Sequence, residues 1–245
     1  MNAPEAGPPE GGISIERRRL LWVPFALAGG ALLQGTPLVA AGGAFEPLTH
    51  EQFAERWIAL AKELLPLSKE HDESYAAQLA GMLARVPISA LPRLENGNRG
   101  KGFVAGPSFF MAPCVMVEFR MDPGATLRTH NHPPQIVLTL CADGEASYRH
   151  FELHGDAPPC TKIDGAEFEV RETRAGVLLP GRTTAVTRAR DGMHGFVAGD
   201  AGARLIDFTV STTADIETFS YVELSEEPID PDQRLYAAKW LGKKA

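Results

Sequence analysis

Apolar residues recur at helical spacing over Phe53, Trp57, Leu60, Ala61 and Leu64, between a Thr49/Gln52 pair and Pro66. Threonine and glutamine three residues apart form a capping box, in which each side chain satisfies the other's orphan backbone N–H. Proline cannot continue a helix. The pattern therefore predicts a helix over residues 50–64. Ser68, Asp72 and Glu73 then precede a second apolar face made of Tyr75, Leu79, Met82, Leu83 and Val86, which Pro87 ends. Acidic residues in the first turn favour a helix start there. Residues 92–107, with Pro92, Asn96-Gly97-Asn98, Gly100, Gly102 and Gly106-Pro107, read as a turn-rich loop.

Beyond that loop the period falls to two. Val115, Val117 and Phe119 alternate with Met116, Glu118 and Arg120, and Asp122-Pro123-Gly124 marks a turn. Short apolar runs follow at Ile136–Cys141, Tyr148–Leu153, Phe168–Arg171, Val177–Leu179, Ala185–Thr187, Gly195–Ala198, Leu205–Val210 and Phe219–Leu224. Eight or nine short strands at this spacing predict an all-β antiparallel sandwich or barrel such as a jelly roll, preceded by two short α-helices. The polar stretch 225–234 and Ala237–Leu241 are expected to wrap the surface or form one last helical turn.

The N-terminus breaks both patterns. Residues 1–15 are rich in Pro, Gly and Glu, and Glu16-Arg17-Arg18-Arg19-Leu20-Leu21 sets arginines directly before an apolar run. That run, Leu20 to Ala44, is interrupted by Pro24, Gly29, Gly30, Gln34 and Pro37, a poor membrane span. It resembles a twin-arginine export signal with small residues for cleavage, for example after Ala41. The expectation is a signal peptide at 1–43, a helical segment at 44–92 and a barrel domain at 93–245. It implies passage through the twin-arginine translocase to the periplasm, without stable membrane insertion once the signal is removed. An uncleaved membrane anchor is the alternative.

At 245 residues the chain has ample length for one large core, and its net charge of −7 repels phosphate backbones. No basic block of five or more residues offsets that charge, so nucleic acid is not an expected partner. Three cysteines, Cys114, Cys141 and Cys160, follow no framework spacing, and buried small hydrophobe is the default for each. One disulfide with a free thiol, or three free thiols, both remain open.

The chemical signal lies in Gly124-Ala-Thr-Leu-Arg-Thr-His130-Asn-His132-Pro133-Pro134-Gln135-Ile136-Val137, with Gly144 closing the next strand. On a strand, His130 and His132 point to one face, where two imidazoles can converge on one ion. The glycine turn, the Gly-x5-His-x-His spacing and the later glycine resemble the first cupin motif. The resemblance implies a double-stranded β-helix barrel with a third metal ligand at His194, at the start of a later strand. The usual cupin glutamate falls where this chain has Val137, so three neutral imidazoles would leave a divalent ion its full charge and favour a thiolate.

His130-Asn131-His132-Pro133, Val137, Gly144, the aromatic strand Tyr148–Phe151, the turn-His-x-Phe at His194 and Phe196, and Asp207 together resemble the thiol dioxygenases of the cysteamine dioxygenase and plant cysteine oxidase family. The likeness spans about residues 110–222. It implies an Fe(II) cofactor held by His130, His132 and His194, with O2 and either a small-molecule thiol or an N-terminal cysteine as substrates. It assigns catalytic roles to Asp207 and Tyr221. Departures are Ser211-Thr212-Thr213 in place of Pro-Pro-Tyr, Phe219 in place of a cysteine, and Gly192 in place of an asparagine.

Arg128, two residues before His130, is expected on the same strand face, within reach of an acidic group of the substrate. Gln135 is placed near the metal. His150 and His154 read as surface residues, and His50 and His71 as residues at helix starts. Two other readings stay open: a three-histidine Zn(II) hydrolase or lyase, and a cupin that binds metal or a small ligand without catalysis.

Overall fold

The computed structural model describes residues 46–64, 68–156, 165–188, 192–211 and 220–241. The export segment 1–43, Cys160, Thr212, Thr213 and Phe219 lie outside them.

Helix α1 spans His50–Leu64 and α2 spans Asp72–Leu83. The capping box forms as expected: Thr49 N donates to Gln52 Oε1 at 3.0 Å and Gln52 N donates to Thr49 Oγ1 at 3.2 Å. The second helix starts later than Ser68 because Lys69–His71 make a separate tight turn. Both helices bury one face on the sheet. Phe53 and Trp57 meet Phe208 edge-on, with ring centroids 5.7 and 5.5 Å apart. Trp57 Nε1 donates to Tyr75 Oη at 2.7 Å, which satisfies the buried polar tips of both rings. Among the described residues no helix is long and apolar enough to cross a membrane.

The strands are β1 (Asn98–Gly100), β2 (Phe103–Met111), β3 (Cys114–Met121), β4 (Thr126–Asn131), β5 (Gln135–His154), β6 (Glu167–Leu178), β7 (Thr183–Val186), β8 (Met193–Ser211), β9 (Val222–Leu224) and β10 (Leu235–Trp240). Hydrogen-bonded order runs β1-β2-β3-β8-β5-β6-β10-β9, with β4 on β8 and β7 on β5. Every pairing is antiparallel. This is an all-β architecture, a curled antiparallel sheet preceded by two short helices.

Three elements differ from the sequence expectation. The turn-rich loop contains β1 and the start of β2, an edge hairpin. The C-terminal stretch is strand β10, paired with β6, instead of a helical turn. Two pairs of predicted strands are each one long strand, β5 and β8, of 20 and 19 residues. Gly144 and Gly202 let them bend together. Both have positive φ, and a Cβ on Gly144 would lie 2.1 Å from the carbonyl oxygen of Gly202. Bulges flank Gly144 in the β5–β8 ladder.

Past the bend each long strand joins a different part of the core. Ile136, Leu138, Leu140, Ile206, Phe208 and Val210 pack with the helices. Cys141, Ala146, Tyr148, Phe196, Ala198 and Leu205 form an inner cluster with Leu127 and Leu178. A third cluster gathers Phe151, Phe168, Val170, Met193, Val222 and Trp240. Cys114 and Cys141 are free and buried, and burial lifts their thiols to about 12 and about 11. The curled sheet meets itself where β4 reaches the segment before β9. Asn131 N donates to Ser220 O at 3.1 Å, Ser220 N donates to Asn131 Oδ1 at 2.7 Å, and His130 bridges Tyr221.

Candidate metal centre

Strand β4 carries His130, and the residue just past its end is His132. Strand β8 carries His194 directly opposite His130 in the ladder. The three ring centroids are 4.7–4.8 Å apart, and one ligand nitrogen from each ring lies within 4.8 Å of the others. Among the described residues these three are the metal-competent group of histidine, cysteine and carboxylate side chains. His132 Nε2 and His194 Nε2 face each other at 2.9 Å. Their convergence follows from antiparallel pairing, which sets cross-strand partners side by side. The hydrogen bond from His132 N to Gly192 O, at 3.0 Å, ties the two ligand segments together.

Electrostatics keep the rings neutral. Burial, as the largest cause, pushes His130 down to about 4 and His132 down to about 3, and holds His194 well below the ordinary imidazole value. His130 Nδ1 lies 2.8 Å from Arg128 O, and His132 Nδ1 lies 3.0 Å from Gln135 Oε1. Both partners are acceptors, so each ring carries its proton on Nδ1 and turns the Nε2 lone pair inward. His194, with no acceptor to fix its tautomer, can donate its Nε2–H to His132 Nε2 in the metal-free protein, and a bound cation would take the place of that proton. Neutral imidazoles, inward lone pairs and acceptor-fixed tautomers are what a transition-metal ion requires. His194 differs: its Nδ1 is buried without a hydrogen-bond partner.

The remaining expected residues fall at different distances from this trio. Tyr221 lies half-buried across the seam from His130, with ring centroids 5.9 Å apart. Burial raises its phenol above the ordinary value and the Arg128 charge opposes that rise, which places the guanidinium in electrostatic reach. Arg128 itself is exposed. A bulge between Leu127 and His130 interrupts the alternation from which a shared face with His130 was expected. Gln135, expected near the metal, sets its Oε1 against the His132 ring. Val137 is fully buried.

Asp207 is buried on β8 and accepts a hydrogen bond from Thr139 Oγ1 at 2.6 Å. Burial lifts its carboxyl to about 7, against the lowering effect of Thr139. It does not share the cluster of ligand atoms.

His150 was expected at the surface and is instead wholly buried, as the ladder partner of His194. Its ring lies 5.9 Å from that of His194, and its Nε2 is 3.1 Å from Thr184 Oγ1. A row of rings, Tyr221, His130, His194 and His150, thus crosses four elements. The sequence signal for His150 was its alternation with the buried Ala146 and Tyr148. A bulge after His150 breaks the parity with His154, which lies near the surface beside Arg171.

No family model matches the chain, and none of the curated proteins compared with it does. Among solved structures it is similar to KdgF from Halomonas sp., at 18% identity over 47% of this chain and 87% of that one, with a TM-score of 0.34. An RmlC-like cupin from Shewanella frigidimarina is 22% identical over 49% of this chain and 84% of that one, with a TM-score of 0.33. Oxalate oxidase in complex with the substrate analogue glycolate is 16% identical over 53% and 59%, with a TM-score of 0.37. At such identities the likeness concerns the fold alone. The chain's own geometry supplies three histidines that could hold a metal ion.

Proposed function

We propose that this chain is a non-haem Fe(II) dioxygenase that oxidises a thiol to a sulfinic acid with O2, and that it works in the periplasm after export through the twin-arginine translocase. The observation that carries the activity is a ligand set of three neutral imidazoles with no carboxylate among the donors. Neutral donors leave a divalent ion its full charge, which favours an anionic thiolate beside it. The resemblance of residues 110–222 to the thiol dioxygenases points to the same chemistry. The export expectation rests on the arginines before the apolar run at 20–44.

Bound Fe(II) would supply the oxygen chemistry that no side chain provides. The overall change, R–SH plus O2 giving R–SO2H, balances in atoms and electrons without a further reductant. His130, His132 and His194 would hold the ion from one side and leave the other open to substrate. Tyr221 keeps its proton at neutral pH and would donate a hydrogen bond to the substrate or oxygen from across His130. Arg128, at the rim, would draw in an acidic group of the substrate. Asp207, held by Thr139, would contribute a buried carboxyl that orients substrate or oxygen.

The test is anaerobic reconstitution with Fe(II), followed by O2 uptake with a panel of free thiols and peptides bearing an N-terminal cysteine. One O2 consumed per sulfinate formed is the expected result. Zinc in protein purified without added metal, with no uptake, would favour the hydrolase or lyase reading. Tight ligand binding without turnover would favour a binding module.

A further inference from the structure

We propose that Asp72, on the first turn of α2, is a positioning residue for the metal centre, acting through Arg188 on the connection that delivers His194. Asp72 is 1% exposed, and its carboxylate takes up Arg188 in full. Arg188 Nε lies 3.1 Å from both carboxylate oxygens, an NH2 group reaches Oδ1, and the backbone N–H of Arg188 donates to Oδ2 at 2.9 Å. Next door, Thr187 Oγ1 donates to Glu73 Oε1 at 3.4 Å. The helix therefore grips both the side chain and the main chain at the start of the β7–β8 connection. At the far end of that connection Gly192 O accepts from His132 N, Met193 pairs with Asn131, and His194 faces His130. Thr187 and Arg188 are tied to α2, and Gly192, Met193 and His194 to the other ligand strand.

Two physical arguments turn this tie into a role. His130 and His132 each have an acceptor that fixes the ring, whereas His194 Nδ1 has none. The direction of the His194 imidazole therefore depends on where its backbone is held. A buried ion pair is also a poor way to gain stability, because taking two charges out of water costs about as much as their attraction returns. Its distinctive property is direction: a planar guanidinium gripped through several hydrogen bonds admits one orientation. Helix α2 thereby helps to position the metal site, whatever metal it takes and whatever reaction it supports.

The test uses the full chain, freed of metal, with Co(II) and Zn(II) affinities measured by competition with a chromophoric chelator. Asp72→Asn is expected to weaken metal binding about tenfold, the low end of the effect of residues that orient ligands. The comparison variant is Glu118→Gln. Glu118 is buried to the same degree and accepts from Arg204 at 2.8 Å and from Leu94 N at 3.3 Å, at the β3 side of the fold. It is expected to lose comparable stability and to keep wild-type metal affinity. The proposal is overturned if Asp72→Asn binds metal like the wild type, or if Glu118→Gln weakens binding equally. Should Asp72→Asn fail to fold, Arg188→Lys, which keeps the charge and loses the planar fork, is read in the same titration, and unchanged affinity overturns the proposal. A wild-type chain that binds neither ion refutes the metal centre itself, a separate outcome.

Discussion

Replacing Asp207 with asparagine probes the interior of the barrel through its pH dependence. Burial lifts the Asp207 carboxyl to about 7, against 3.8 for an ordinary aspartate. Between those two values the folded chain holds a proton that the unfolded chain has released. Stability therefore falls as pH rises through this window. The full cost is about 4 kcal/mol, since each pH unit of separation corresponds to 1.36 kcal/mol. About 3 kcal/mol of it develops between pH 5 and 8, a large share of the stability of an ordinary domain. Asparagine keeps an acceptor for Thr139 Oγ1 and never ionises. The assay is urea unfolding of the metal-free wild type and Asp207→Asn at pH 5 and pH 8, with chelator present because a bound ion adds its own stabilisation. The variant should gain about 3 kcal/mol on the wild type between the two pH values. The contributions of the three histidines are common to both proteins and cancel. A difference that stays flat would show that the carboxyl titrates alike in the folded and unfolded chains, one that moves the other way that the anion is favourably held, and either would refute the reasoning.

Three further outcomes are expected. His130 titrates in the opposite sense: the unfolded imidazole takes up a proton near 6.5 and the folded one only at about 4, so the metal-free chain loses about 3 kcal/mol as pH falls through that window. Urea unfolding of His130→Gln should lack that acid loss, and an unchanged slope would count against a neutral buried ring. Asn131→Ala strands the Ser220 N–H and should cost about 1–3 kcal/mol, with faster proteolysis after residue 220. Equal stability and equal cleavage would mean that the seam is held elsewhere. Tyr75→Phe removes the acceptor of the Trp57 indole and should cost about 1–2 kcal/mol in thermal unfolding while metal affinity stays as in the wild type.

The parts of this protein that were legible in its sequence are those governed by local periodicity. The capping box at Thr49 and Gln52 and the helical face of Phe53, Trp57 and Ala61 can be read off a single turn. The shared face of His130 and His132 needs only the period of a strand. What escaped depends on residues far away. β10 exists because β6, more than 60 residues earlier, offers it an edge, and six residues alone carry no such information. β1 and β2 hid behind Gly100, Gly102 and Pro107, which suit a loop but are tolerated at a sheet edge, where Pro107 sits at a register shift. His150 was misplaced because a bulge after it inserts a residue and inverts the alternation toward His154. A bulge has no reliable signature in the chain that contains it.

Among the described residues, the ladder partners of β4, which carries His130 and ends just before His132, all lie downstream. On one side it pairs with β8, and on the other it meets Ser220 and Tyr221. As the ribosome delivers the chain, residues 126–132 emerge with no edge to dock on, and they must wait for more than 60 further residues before the third imidazole can join them. The three-histidine group is consequently among the last features to take shape, since contacts between distant stretches form late. Nascent fragments that end before β8 would present a loose His-x-His pair without its third imidazole, so the complete ligand set belongs to the finished protein.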